Sequence, residues 1–243
     1  MNETTCLREQ SKAGLLPLPE QTAKDHSEVR DLPPPTASPT SSLDAASRDL
    51  LKMKKIFEES VRAMGQMMEV RDPYTAGHQS RVSKICVEIA RILKLPEHKI
   101  KGLELAALVH DVGKLAIPAE ILSKPGRLTS FEFDLIKTHP MVGYDIMKGI
   151  EFPWPVADMI LQHHERIDGS GYPKGLTNHE TLLESRILSV ADVIEAMSSN
   201  RPYRASLGLN LALEEICKNK SILYDADVVD SCLALFASSG VKG

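Results

Sequence analysis

Two doublets carry the chemistry that this chain can do. His163-His164 opens the run HHERIDGSGYP, and His110-Asp111 sits in VHDVGK. Adjacent imidazoles followed by a tight, acidic and glycine-rich turn suit a site that holds more than one metal ion. His78, His139 and Asp192 fall around the doublets at intervals of roughly 24 to 32 residues, about the length of one helix and one connection. Each successive helix can therefore bring one ligand, or one pair, to a common centre. Helical bundles build two-metal sites this way, from inward side chains on facing helices.

Each residue taken singly has a plainer reading. His139, followed by Pro140, would serve as a core or capping histidine, and His78 as a surface residue. Asp192, in SVADVIEAM, would be a lone buried carboxylate, which is costly without a cation or metal. Together with the HD and HH doublets, the ligand reading prevails. His26, His98 and His179 lie in the N-terminal tail, near a helix start or in a loop, and are left out. Five imidazoles and two carboxylates fill two six-coordinate ions if one carboxylate bridges and water completes the shells. Two ions about 3.5–4 Å apart clamp both the attacking and the leaving oxygen of a phosphoryl group. A nitrogen-rich shell disfavours Mg²⁺ and Ca²⁺ and suits Fe, Mn, Zn, Ni or Co. Lys114 either presents its ammonium to a phosphate oxygen or is a solvated lysine near a helix end.

The elements that must position these residues are helical. Leu50, Met53, Ile56/Phe57, Val61, Met64 and Met67/Met68 recur at three- and four-residue steps up to Arg71-Asp72-Pro73. Such a methionine stripe is a core face or a face that pairs helices. Further helices are expected over 76–93, from 96 into 109–110, over 129–147, 155–164 and 182–197, and near 211–218 and 227–236. Thr129 with Glu132 forms a capping-box pattern, and Pro155 suits a first turn. No alternating strand pattern competes, so the expected class is all-α, a compact helical bundle around a central di-metal site.

Residues 1–48 differ in material. They lack Phe, Trp and Tyr and contain Pro33-Pro34-Pro35 and the run TASPTSS. A segment so poor in apolar bulk cannot offset its chain entropy, and it reads as a disordered Pro/Ser-rich tail or linker before a domain over 49–243. With a net charge of −4 the chain has no basic footprint for duplex nucleic acid. Cys6, Cys86, Cys217 and Cys232 are scattered without a CxxC pair, which fits reduced thiols in a cytoplasmic protein. No run approaches the length of a membrane span, and MNETTCLREQ lacks the features of a signal peptide.

The blocks also match a known family. HDVGK at 110–114 resembles the signature of the HD phosphohydrolase superfamily, and HHERIDGSGYPKGL at 163–176 resembles its HD-GYP subgroup. So do RDPYTAGHQSRV at 71–82, IPAEILSKPGRLT at 117–129, HPMVG at 139–143, RILSVAD at 186–192 and RPYR at 201–204, in the same order. The resemblance covers about residues 50–236. It implies an all-α fold and a bacterial signalling enzyme, a metal-dependent phosphodiesterase that hydrolyses cyclic di-GMP to pGpG or onward to GMP, with hybrid cyclic dinucleotides as substrates of some members. It carries metal ligation to His78, His110, Asp111, His139, His163, His164 and Asp192, with Asp111 as the bridge and Asp111 and Lys114 as the catalytic pair. Lys114, Arg201, Arg204 and Tyr172 become substrate contacts, and Glu195 supports a ligand. Two guanidiniums three residues apart suit a dianionic cyclic dinucleotide, or else form a solvated basic turn around Pro202.

Two departures bear on the site. Some members carry a glutamate four residues before the first ligand histidine, where it joins a third metal. Tyr74 stands there in this chain, and a phenol at neutral pH is a poor ligand. Two divalent ions, Fe or Mn first and Zn, Ni or Co next, are therefore expected. Asn178 replaces a frequent glycine and is expected to tolerate a left-handed backbone. Expected partners are a cyclic dinucleotide, a diguanylate cyclase or other signalling protein at the GYP loop, and a second copy of the chain through the first helix. A second class of function is a domain that binds nucleotide or a protein partner as a receptor without turnover. Its usual mark, loss of the HD or HH residues, is missing here. A general HD nucleotide phosphohydrolase would leave the GYP and RPYR blocks without a role.

Overall fold

The computed structural model describes residues 39–71, 76–199 and 207–238. Among them the regular elements are helices: α1 (Pro39–Arg71), α2 (His78–Ile92), α3 (Glu97–Val109), α4 (Ala119–Leu122), α5 (Ser130–Ile136), α6 (His139–Met147), α7 (Val156–Gln162), α8 (Leu183–Ser198), α9 (Leu209–Lys218) and α10 (Ala226–Ser238). A 3₁₀ turn, Val112–Ala116, follows α3. No strand occurs among the described residues, only isolated bridges at Asp168–Thr177 and Lys220–Tyr224. The expected all-α bundle is thus the observed fold.

The buried helix α3 sorts the core into two parts. Its Leu103 and Ala107 pack with Val82, Cys86 and Ile89 of α2, Leu188, Ala191 and Ile194 of α8, Ile216 of α9 and Val228, Val229 and Cys232 of α10. Its Leu105, Ala106 and Val109 pack with Val61 and Met68 of α1 and Met159 and Ile160 of α7. A helix with apolar residues on every side is stable only when covered on every side. Glu97 sits in the first turn of α3 and is compatible with its helix dipole.

Three local expectations need correcting. Helical backbone begins at Pro39, ahead of Leu50, so the end of the segment read as a disordered tail is helical; residues 1–38 lie outside the described residues. Proline at a helix start gives up no intrahelical bond. The expected helix over 129–147 is two helices. Thr129 and Glu132 do form the capping box of α5, but the chain breaks at Thr138-His139-Pro140. Pro140 has no N–H to give to the Ile136 carbonyl, and His139 Nδ1 lies 2.7 Å from that oxygen instead. Asn178 does not adopt a left-handed backbone: Lys94 and Ser221 are the non-glycine residues with positive φ among those described. Its side-chain oxygen accepts a hydrogen bond from Arg186, which also holds Asp225 at 2.6 Å.

Of the methionine stripe on α1, only Val61 and Met68 enter the core. No helix among the described residues is long and apolar enough to cross a membrane. Cys86, Cys217 and Cys232 are free thiols, the first and last buried.

Candidate metal centre

The seven expected ligands converge from five places in the chain: the start of α2, the end of α3, the start of α6, the end of α7 and the middle of α8. The geometry explains why histidines stand at helix ends here. The last carbonyls of a helix lack intrahelical partners. His110 Nδ1 lies 2.8 Å from the Ala107 carbonyl, and His163 Nδ1 lies 2.5 Å from that of Ile160. His139 does the same with Ile136 at the break between α5 and α6. Since a carbonyl only accepts, Nδ1 carries the proton in each ring and Nε2 is left with a lone pair. Those lone pairs point inward. His139 Nε2 and His163 Nε2 are 3.2 Å apart, and the buried His110 Nε2 has no hydrogen-bond partner.

The centre has two halves. In one, the ligand atoms of His139, His163 and His164 lie within 4.8 Å of one another. In the other, the same holds for His78, His110 and Asp192, with His78 Nε2 3.3 Å from Asp192 Oδ1. Asp111 spans both. Its Oδ1 lies 3.4 Å from His139 Nε2, and its Oδ2 lies 3.5 Å from His110 Nε2 and 3.8 Å from His78 Nε2. This meeting depends on Gly113. A Cβ there would sit 1.9 Å from the His139 carbonyl oxygen and 2.6 Å from the Gly143 amide nitrogen. No larger residue lets α6 approach the His110-Asp111 turn this closely.

The halves differ in charge. Burial pushes His139 down to about 4 and His163 to about 3, and it also pushes His164 well below its usual range. All three are neutral at pH 7, the form that ligates. Burial also acts to lower His78, but Asp192 and Glu195 outweigh it and hold it at about 9. Burial opposes ionisation of Asp111, yet Lys114 and His110 hold its carboxyl well below the carboxylate range. Two neutral nitrogens facing each other at 3.2 Å repel unless a cation lies between or beside them. The donor set therefore fits divalent metal, and the His/Asp clusters of this chain can hold it.

The remaining expected residues divide. Lys114, in the 3₁₀ turn, stands 2.7 Å from Asp111 Oδ2. Tyr172 lies over His164, ring centroids 4.8 Å apart, and burial raises its hydroxyl pKa, so it stays a neutral donor. Glu195 accepts from His78 Nδ1 and is held in turn by Arg81 Nε and Ser199 Oγ, each at 2.6 Å. Arg201, Arg204 and Tyr74 lie outside the described residues.

One residue escaped the sequence reading. Buried Glu165 accepts the backbone N–H groups of Lys174 at 2.7 Å and Leu176 at 2.9 Å. The loop folds back so tightly that a Cβ at Gly171 would lie 2.4 Å from Glu165 Cα. Glu165 thus ties the far side of the GYP loop to the histidine doublet. The available signal was a carboxylate directly after HH, but its partners are main-chain groups that no side chain announces.

The chain is also similar to known proteins. The family model described as HD domain matches residues 62–228. The chain is 38% identical over 197 residues to the cyclic di-GMP phosphodiesterase response regulator RpfG of Xanthomonas campestris, covering 79% of this chain and 52% of that protein. It is 38% identical over 179 residues to a cyclic di-GMP phosphodiesterase of Thermotoga maritima, covering 73% and 49%. It is also 36% identical over 167 residues to the 3'3'-cGAMP-specific phosphodiesterase 3 of Vibrio cholerae, covering 69% and 36%. The chain spans about half the length of the first two of these relatives. Among solved structures, Bd1817, an HDG"Y"P protein from Bdellovibrio bacteriovorus, shares the fold with a TM-score of 0.56 at 22% identity, over 66% of this chain and 51% of that one. From the matched span and the ordered HD and GYP blocks, the chain belongs to the HD domain family, in its HD-GYP form.

Proposed function

We propose that this domain is a metal-dependent phosphodiesterase that hydrolyses cyclic di-GMP to pGpG, acting in the cytoplasm in second-messenger signalling. The observation that carries the reading is Asp111, whose two oxygens face the two halves of one histidine-rich centre. Relatives named as cyclic di-GMP and 3'3'-cGAMP-specific phosphodiesterases support cyclic dinucleotides as the substrate class.

In this reading His78, His110 and Asp192 would hold one divalent ion, His139, His163 and His164 would hold the other, and Asp111 would serve both. Fe or Mn suits this mixture of imidazole and carboxylate, with Zn, Ni or Co as alternatives. When bound, such ions polarise a phosphoryl oxygen and make water nucleophilic at neutral pH. The chain does the rest. Backbone carbonyls fix the His110, His139 and His163 tautomers so that every Nε2 faces inward. Lys114 shares its ammonium between Asp111 and a substrate phosphate. Arg201 and Arg204 take the phosphate charge, and Tyr172 donates from above His164. Tyr74, where a glutamate would serve a third ion, supports two ions and pGpG as the product. The partners in this reading are the cyclic dinucleotide, a diguanylate cyclase or another signalling protein at the GYP loop, and a second copy of the chain through α1.

The test is metal analysis of protein purified without chelator, followed by chromatography of its products from cyclic di-GMP in Fe(II) and in Mn(II). About two ions per chain with pGpG formed is the expected result. Asp111→Ala is expected to lose the metal and all turnover while keeping its helical circular dichroism. Wild-type turnover in that variant would overturn the mechanism. Nucleotide binding without product in either metal would favour the receptor.

A further inference from the structure

Helix α1 carries two apolar stripes, and the domain uses one of them. Val61, Gly65 and Met68 face inward. A Cβ on Gly65 would stand 2.5 Å from the Leu108 carbonyl, so this contact is close. Arg62 to Glu104 at 2.9 Å and Lys101 to Glu58 at 3.1 Å flank it. The second stripe turns away. Leu50 is 72% exposed, Met53 64%, Met67 66% and Val70 84%, and Ile56, Phe57 and Met64 are exposed as well. Phe57 lies at the border of the two stripes, its ring 6.0 Å from that of Phe152. That much apolar surface on one helix marks an interaction site.

The spacing and one pair of opposite charges argue for a second copy of this helix as the occupant. Leu50, Met53, Phe57, Ser60, Met64 and Met67 alternate three- and four-residue steps, the a and d positions of a heptad repeat. A seam of this kind pairs with another helix that carries the same repeat. In this register Asp49 is a g position and Lys54 the following e position. In a parallel in-register pair of identical helices, g of one chain meets the next e of its partner. Asp49 then faces Lys54 of the second copy twice, once on each side of the seam. Among the described residues Asp49 makes an exposed contact with Lys52 at 3.7 Å, which such a pairing easily displaces.

We infer that two copies of this chain associate through a parallel, in-register coiled coil of α1, with Leu50, Met53, Phe57, Met64 and Met67 in its seam and Asp49 paired to Lys54 across it. This deepens the pairing of chains named in the proposed function and rests on it only for the identity of the occupant. The coiled coil leaves the metal centre on each copy's own helices, so dimerisation and hydrolysis can be measured separately.

The test is sedimentation velocity of the full chain over a concentration series, with cyclic di-GMP hydrolysis followed on the same samples. Wild type is expected to sediment as a dimer. Met53→Glu with Met64→Glu is expected to raise the dimer dissociation constant by at least about a hundredfold, with the helical spectrum retained. Asp49→Lys is expected to weaken the dimer several-fold, and Asp49→Lys with Lys54→Asp to restore it. A monomeric wild type overturns the proposal and assigns the stripe to residues 1–38 or to a different protein. A dimer indifferent to the glutamates overturns the seam. Failure of the charge swap to restore affinity overturns the parallel register. Loss of hydrolysis with dimerisation intact counts against the phosphodiesterase alone.

Discussion

The two halves of the centre are held by different means. In the half formed by His139 and His163, each ring is oriented by a backbone carbonyl at a helix end or break, Ile136 or Ile160. In the other half His110 is likewise held by a carbonyl, that of Ala107, but His78 is oriented by a side chain, Glu195, itself braced by Arg81 and Ser199. The first arrangement is neutral and cannot be removed without unmaking a helix terminus. The second is charged, and one substitution can remove it. A ligand set can thus be equally filled on both sides yet unequally fragile. Four outcomes test that contrast.

The largest effect is expected where the halves join. Gly113→Ala places a methyl group against the His139 carbonyl and the Gly143 amide. Neither is a flexible side-chain tip, so the chain must separate the two turns. A loss of about 3 kcal/mol in chemical denaturation is expected, together with loss of metal from both halves. An unchanged midpoint with full metal content would show that the close approach is not needed. Next comes Glu195→Ala, which frees the His78 ring and leaves His139, His163 and His164 untouched. Affinity for one of the two ions is expected to fall about 10- to 100-fold while the other holds. Titration of chelated protein should then show two separated phases. Equal weakening of both ions would abolish the contrast.

The same contrast decides what was readable in advance. The convergence of the seven expected ligand residues is legible because their chemistry lies in side chains at informative spacing, and Glu195 beside His78 is what the family resemblance implies. The bundle is legible because apolar residues recur at helical steps. The break at Thr138-His139-Pro140 is not, although Pro140 stands in plain view: the capping box at Thr129 marks where a helix starts and not where it ends. What decides it is which group takes the Ile136 carbonyl, a main-chain matter. Gly113 falls just past the expected end of the helix from 96 into 109–110, whereas its role is the space it leaves for another turn further along the chain. Asn178 reads as a stand-in for glycine, whereas its side chain anchors Arg186. Backbone acceptors and close approaches carry no residue-type signature, and the imidazole-rich half is built on them.

In chelated protein the halves should also respond to pH in opposite directions. His139 and His163 are neutral when folded and titrate near 6.5 when unfolded. Their contribution is present above pH 6.5 and is lost as pH falls through that value toward about 4 and about 3. His78, raised to about 9, contributes fully below 6.5 and loses its contribution as pH rises toward 9. Denaturation midpoints of the metal-free chain should therefore fall on both sides of neutrality. Glu195→Gln should flatten the alkaline limb and leave the acid limb in place. If both limbs flatten, the halves titrate as one unit.

The smallest effect is expected at Glu165, and it asks how far main-chain anchoring extends. This carboxylate follows His164 directly and accepts two amide protons from the far side of the GYP loop. Glutamine keeps one acceptor oxygen and aims an NH₂ group at the other amide, so one hydrogen bond becomes a donor–donor clash. The cost should be about 1–3 kcal/mol, felt locally as faster amide exchange at Lys174 and Leu176. Tyr172 lies within that loop and stacks on His164, so KM for cyclic di-GMP should rise while both metals stay bound. The outcome separates two kinds of support. Faster exchange with full metal content places Glu165 with the substrate side of the site. Metal loss from the His163-His164 half would mean that this half, too, depends on one replaceable side chain, and the difference between the halves would narrow to one of charge.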